Sequence, residues 1–156
     1  MQEVNIYLLN DIKSPGRKNT GTYIYVLEMK NPNIKGSMKG VKTVNNVTAN
    51  QLELMSLTDA LKRFNRKCAL DIYTASPYLM GALDNDWVHG WRANGWKTSN
   101  GKDVSNRHEW EELLTALEGH LVTMCELSPA QRNMLEAEMY RDNKKSHRKR
   151  RTKWQK

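Results

Sequence analysis

The feature that most restricts how this chain can fold is a change of hydrophobic period at Thr48. Before it come VNIYLLN (residues 4–10), GTYIYVLEMK (residues 21–30) and a run over residues 39–45. All are rich in branched and aromatic side chains and are separated by the turn signals SPGRKNTG, Asn-Pro-Asn and Lys-Gly. They read as three strands of an antiparallel meander. In TANQLELMSLTDALKRF the apolar positions Leu52, Met55, Leu57 or Thr58, Leu61 and Phe64 switch to helical spacing, with Thr48 or Asn50 as the N-cap. ALDIYT comes next, and a strand that returns after a helix can lie parallel to the first strand as a crossover. Helical segments are expected over residues 80–88 and 106–118, then a strand in HLVTMCEL, then a helix from Pro129 to about Tyr140. The order βββαβααβα predicts a three-layer α/β domain with a mixed five-stranded sheet. No repeat or linker interrupts residues 1–141, which are expected to form the domain.

Charge divides the 156 residues differently. The formal net charge is +8, and from Arg141 onward RDNKKSHRKRRTKWQK holds nine Lys or Arg against one Asp. The first 140 residues are therefore neutral. A like-charged block with almost no apolar residues cannot offset its ordering entropy, so residues 142–156 are expected to be a disordered tail suited to phosphate backbones, through Lys144, Lys145, Arg148, Lys149, Arg150 and Arg151. Cys68 and Cys125 lack any zinc-ligand spacing and fit a reducing compartment. No segment approaches the ~20 apolar residues of a membrane span, and no basic leader precedes an apolar run, so the expected setting is cytoplasmic with no membrane partner.

Two stretches narrow the reading to a family. NQLELM (residues 50–55) and DWVHGWRANGWKTSNGKDVSNRHEWEELL (residues 86–114) resemble, in order and spacing, the ribonuclease H type 1 family and its basic handle of spaced tryptophans. With the strand order around them, the resemblance covers roughly residues 4–141. It implies a nuclease that cuts the RNA strand of an RNA/DNA hybrid with two magnesium ions, hard cations held by carboxylates. Of the family's carboxylates, the helix Glu is present as Glu53. The first-strand Asp falls on Leu9, the turn Asp on Ala75, and the last-helix Asp on Met134 or Leu135, with Glu136 close behind. Asp11 would lie ~6.5 Å further along its strand than Leu9, and Asp71 ~13 Å back from Ala75. The resemblance therefore reads as a degenerate member, a pseudoenzyme that is not an enzyme, has no catalytic residue beyond a remnant Glu53, and needs no metal or cofactor.

Substrate gripping uses other residues. The resemblance places Thr48 and Asn50 at positions that hold a DNA phosphate, although Ala49 and Pro77 replace polar neighbours. Arg92, Lys97, Lys102 and Arg107 of the handle can each neutralise a phosphate, and Trp96 stands among them. His89, His108 and His120 show no ligand spacing. The expected function is recognition of an A-form-like duplex, RNA/DNA hybrid or double-stranded RNA, by shape and backbone, as a subunit of a larger nucleoprotein assembly. The alternatives are an active metal-dependent ribonuclease H with relocated carboxylates, in which Mg²⁺ would be required, and a protein-interaction or inhibitor module on the same fold.

Overall fold

The structure is a computed structural model that describes residues 1–14, 16–34 and 36–154, with side chains described as far as Asp142. Three strands open the chain: β1 (Gln2–Asn10), β2 (Asn19–Met29) and β3 (Ser37–Val47). They pair antiparallel, with Leu8 opposite Tyr25 and Ile24 opposite Val41. Helix α1 (Ala49–Leu61) then crosses to β4 (Cys68–Thr74), which lies parallel to β1 with Ile6 beside Ile72. Three helices follow, α2 (Pro77–Asp84), α3 (Trp87–Ala93) and α4 (Arg107–Leu117), before β5 (Leu121–Glu126) and α5 (Pro129–Trp154). The sheet runs β3-β2-β1-β4-β5, mixed and five-stranded, as expected.

Alternation along the strands splits the core in two, because successive side chains leave opposite faces of a sheet. Val4, Ile6 and Leu8 of β1, Tyr23 and Tyr25 of β2, and Leu70 and Ile72 of β4 bury one face against Leu52, Leu54, Leu57 and Leu61 of α1 and against Trp110 and Leu113 of α4. Tyr7, Leu9 and Ile24 face the other way and meet Leu127, Leu135 and Met139 in a smaller cluster under α5. Gly40 is set by this packing. It stands opposite Tyr25, and a β-carbon there would come within 2.3–2.4 Å of the Tyr25 ring.

Two expectations change. The single helical segment over residues 80–88 is two helices, because Asp86 takes a left-handed backbone conformation at the N-cap of α3 and breaks the helix between Asp84 and Trp87. The last helix does not stop near Tyr140. Its backbone continues to Trp154, while the side chains of the basic residues beyond Asp142, from Lys144 to Arg151, lie outside those described. No described helix is long and apolar enough to cross a membrane.

Candidate active site and nucleic-acid interface

Strand carboxyl ends are where α/β folds present ligand clefts. At those ends lies a cleft of about 180 Å³ lined by residues of β1, the start of α1, the β4–α2 turn and α5, among them Asn10, Asn50, Glu53, Ala75, Ser76 and Arg132. A larger hollow of about 430 Å³, beside Leu27, Phe64 and Arg66, sits at the opposite strand ends. Chemistry rather than volume separates them, since only the smaller one holds a buried carboxylate.

That carboxylate is Glu53, 3% exposed on the inner face of α1. The register of α1 is held by a capping box. Thr48 Oγ1 accepts from Gln51 N–H at 3.1 Å, and Gln51 Oε1 accepts from Thr48 N–H at 3.0 Å. Thr48, not Asn50, is therefore the N-cap, and its hydroxyl already serves the helix, whereas Asn50 is exposed and lines the cleft. Both Glu53 oxygens are occupied. Asn10 Nδ2 donates to Oε2 at 2.8 Å and Thr74 Oγ1 donates to Oε1 at 2.6 Å. Burial pushes the Glu53 carboxyl up from its ordinary range, opposed by those two hydrogen bonds.

The remaining carboxylates are engaged elsewhere. Leu9 and Ala75 line the cleft without a donor atom, and Leu9 packs in the cluster that contains Leu135. Leu135 is fully buried, and Met134 points outward, 53% exposed. Asp11 Oδ1 accepts from Thr22 N–H at 2.7 Å and lines a neighbouring hollow instead. Asp71 pairs with Lys30. Glu136 faces Arg132 on α5 at 3.5 Å. Among the described residues no group of three or more His, Cys, Asp or Glu is placed to hold a metal ion. One carboxylate with both oxygens hydrogen-bonded does not fit a closely spaced pair of hard cations.

The handle is docked through its aromatics. Trp91 meets Trp110 edge to face at 6.0 Å, and Trp110 Nε1 donates to Tyr78 Oη at 2.7 Å. Trp96 was expected among the nucleic-acid contacts, but it is 5% exposed and held in a left-handed conformation by a 2.7 Å bond from its N–H to the Trp91 carbonyl. A ring so enclosed has no free face for a base. It instead supports the Arg107 guanidinium, 5.8 Å from its centroid. Trp87 is the exposed one, at 52%. Arg92, Lys97, Lys102 and Arg107 are all exposed, with Lys97 paired to Asp103 and Arg107 to Glu111. The histidines pair locally: His89 with Asp86, His108 with Glu112, and His120 Nδ1 with the Cys68 N–H at 3.0 Å.

Two residues that line the cleft, Asn10 and Arg132, carry no motif that singles them out in the sequence, whereas Thr74, which bonds Glu53, begins the Thr-x-Ser turn at the end of β4. Strand parity offers a signal for the first, because Leu8 faces α1 and so does Asn10. Nothing local points to the second.

Comparison with known proteins places this architecture. The RNase H family model matches residues 3–127. The Ribonuclease H of Caldicellulosiruptor saccharolyticus is 36% identical over 123 residues, which is 78% of this chain and 80% of that one. The Ribonuclease H of Cupriavidus pinatubonensis is 35% identical over 124 residues, 79% of this chain and 80% of that one. Other relatives match over a shorter stretch. The Ribonuclease H of Nitratidesulfovibrio vulgaris is 43% identical over 75 residues, about half the length of each chain. Among solved structures, LC9-RNase H1, a type 1 RNase H with the type 2 active-site motif, superposes with a TM-score of 0.72 at 22% identity, covering 87% of this chain and 69% of that one. LC11-RNase H1 in complex with RNA/DNA hybrid gives 0.60 at 9% identity, covering 86% and 91%.

These findings correct two expectations. Leu9 and Ala75 led to the expectation of a pseudoenzyme that needs no cofactor. Relatives sharing 35–36% identity over four-fifths of their length are named Ribonuclease H, and members of that family depend on Mg²⁺, which overturns both parts of that expectation. The two substituted positions fall in the family's metal-ligand set, whereas the match runs through the whole sheet and the handle. The metal requirement of the family and the single carboxylate of this cleft stand side by side as a disagreement about the ligand set. The family itself is not in doubt, since its model covers most of the chain and the fold follows it from β1 to the end of β5: the chain belongs to the RNase H family.

Proposed function

We propose that the chain acts on RNA/DNA hybrid as a ribonuclease H, seating the duplex against the handle and bringing its RNA strand to the Glu53 cleft. The observation that carries this reading is the position of Glu53. It is a buried carboxylate held by β1 and β4 at the strand ends, inside a cleft whose rim offers Asn50 and Ser76. Relatives named Ribonuclease H support the activity, and the hybrid present in the LC11-RNase H1 complex supports the substrate class. Arg92, Lys97, Lys102 and Arg107 supply phosphate contacts on the handle, where charge without base-edge chemistry favours recognition by backbone and shape. Asn50, exposed at the start of α1, contacts the DNA strand, while Thr48 fixes that helix end through its capping box.

The test is a labelled RNA/DNA hybrid incubated with Mg²⁺ or Mn²⁺ and, in parallel, with a chelator, using the intact chain and Glu53→Gln. The expected result is metal-dependent cleavage that the variant loses while it still binds hybrid. Binding without cleavage at any metal concentration would remove the hydrolytic half of the proposal, and absence of binding would remove both halves.

A further inference from the structure

We infer that Arg132, the first cation of α5, binds a backbone phosphate of the duplex inside the Glu53 cleft and does so without a metal ion. The inference rests on the proposed action on RNA/DNA hybrid and adds to it a contact made by the cleft itself.

Four observations carry it. Arg132 and Glu53 are the charged side chains that line the cleft among the described residues. Glu53 is buried with a hydrogen bond on each oxygen, so the exposed charge of the cleft is that of Arg132. Arg132 is half exposed, and its Nε lies 3.5 Å from Glu136, outside direct hydrogen-bond range for a guanidinium. An exposed pair of that length contributes little and exchanges readily for a better acceptor. Finally, Arg132 is held in place by its helix. Ser128 Oγ accepts from Gln131 N–H at 3.1 Å and Gln131 Oε1 accepts from Ser128 N–H at 2.8 Å, a capping box at the start of α5.

Helix spacing then directs the side chain. Arg132, Leu135 and Met139 stand three and four residues apart and share one stripe. Leu135 and Met139 are buried in the cluster that contains Leu9 and Ile24, so the stripe faces the sheet, and Arg132 is its outermost member, at the strand ends. A guanidinium offers paired N–H donors that match the spacing of phosphate oxygens. Ser76 and Asn50 supply neutral donors on the same walls. The floor between them carries Leu9 and Ala75, which add no negative charge to repel a phosphodiester.

The test measures the affinity of the full chain for a fluorescent RNA/DNA hybrid in chelator across a salt series, with thermal melts as a control on folding. Arg132→Gln should weaken binding about five- to tenfold and lower the slope of log affinity against log salt by roughly one phosphate equivalent, about 0.7–0.9. Arg132→Lys should recover part of the affinity. Glu136→Gln frees the guanidinium and should tighten binding about twofold, a gain that disappears when Arg132→Gln is also present. Unchanged affinity and slope in Arg132→Gln, or a Glu136→Gln gain that survives it, would overturn the inference while leaving hybrid binding by the handle intact. A wild-type chain that binds no hybrid would overturn both the inference and the function on which it rests.

Discussion

Asn10 holds Glu53 by a 2.8 Å hydrogen bond between the last residue of β1 and the middle of α1, positions 43 residues apart. With Thr74 on the other oxygen, the bond accommodates a buried carboxylate without a counter-charge.

That arrangement sets the pH dependence. Burial raises the Glu53 pKa above its unfolded value, so the folded state keeps the proton more tightly. Stability from this group is full below the ordinary glutamate range and is lost as pH rises through the folded value. Glu53→Gln should abolish this loss and leave the chain on the order of 1–2 kcal/mol more stable at neutral pH. Its amide can accept from Asn10 and donate to Thr74 Oγ1. Urea titrations of both proteins from pH 4 to 8 check this, and parallel curves would contradict it.

Ser56 offers a simpler case. Its hydroxyl is fully buried in α1 with no hydrogen-bond partner. Ser56→Ala removes an unsatisfied polar group and improves helix propensity, so it should stabilise the domain by about 1 kcal/mol. A higher urea midpoint at unchanged m-value is the expected reading.

Gly40 gives the opposite sign. Because its missing β-carbon leaves room for the Tyr25 ring, Gly40→Ala should cost about 1–3 kcal/mol through overpacking. It should also disturb the 2.8 Å bond from Arg63 Nε to Tyr25 Oη. Shrinking the ring with Tyr25→Leu in the same chain should make the alanine less costly than it is alone, as a double-mutant cycle would show.

His120 should be felt under mild acid. Burial, helped by nearby Lys67, lowers its pKa, and its Nδ1 accepts from Cys68 N–H only while that nitrogen is unprotonated. The stability it contributes is present above the ordinary histidine range of ~6.5 and is lost as pH falls from there through the lower folded value. His120→Gln should flatten the stability profile between pH 6.5 and 5, read by thermal melts at closely spaced pH values.

The basic tail and the handle should separate in a salt series. Deleting residues 142–156 removes eight of the 25 Lys and Arg and should flatten the salt dependence of hybrid binding. Charge reversal at Lys97 and Lys102 should instead reduce the preference for hybrid over single strands. A salt slope unchanged by the deletion would detach the tail from nucleic acid.

The amino-acid sequence by itself determined the features that arise from neighbours along the chain. The strands follow from branched and aromatic runs, α1 from its 3.6-residue period, its start to within the choice of Thr48 or Asn50, and the excess charge from the run that begins at Arg141. Tertiary structure decided what depends on approach through space. Trp87, Trp91 and Trp96 carry similar signals in the sequence, yet the first is exposed and the last buried, because the chain leaves α3 and turns back at Gly95 and Trp96. The candidate site is the clearest instance. Glu53 was legible as a motif, but its burial, its bonds from Asn10 and Thr74, and the presence of Arg132 at the same cleft are set by packing of β1, β4, α1 and α5. Charge and hydrogen bonding act over a few ångströms of space whatever the separation along the chain, so these contacts exist only once the sheet has brought its strand ends together.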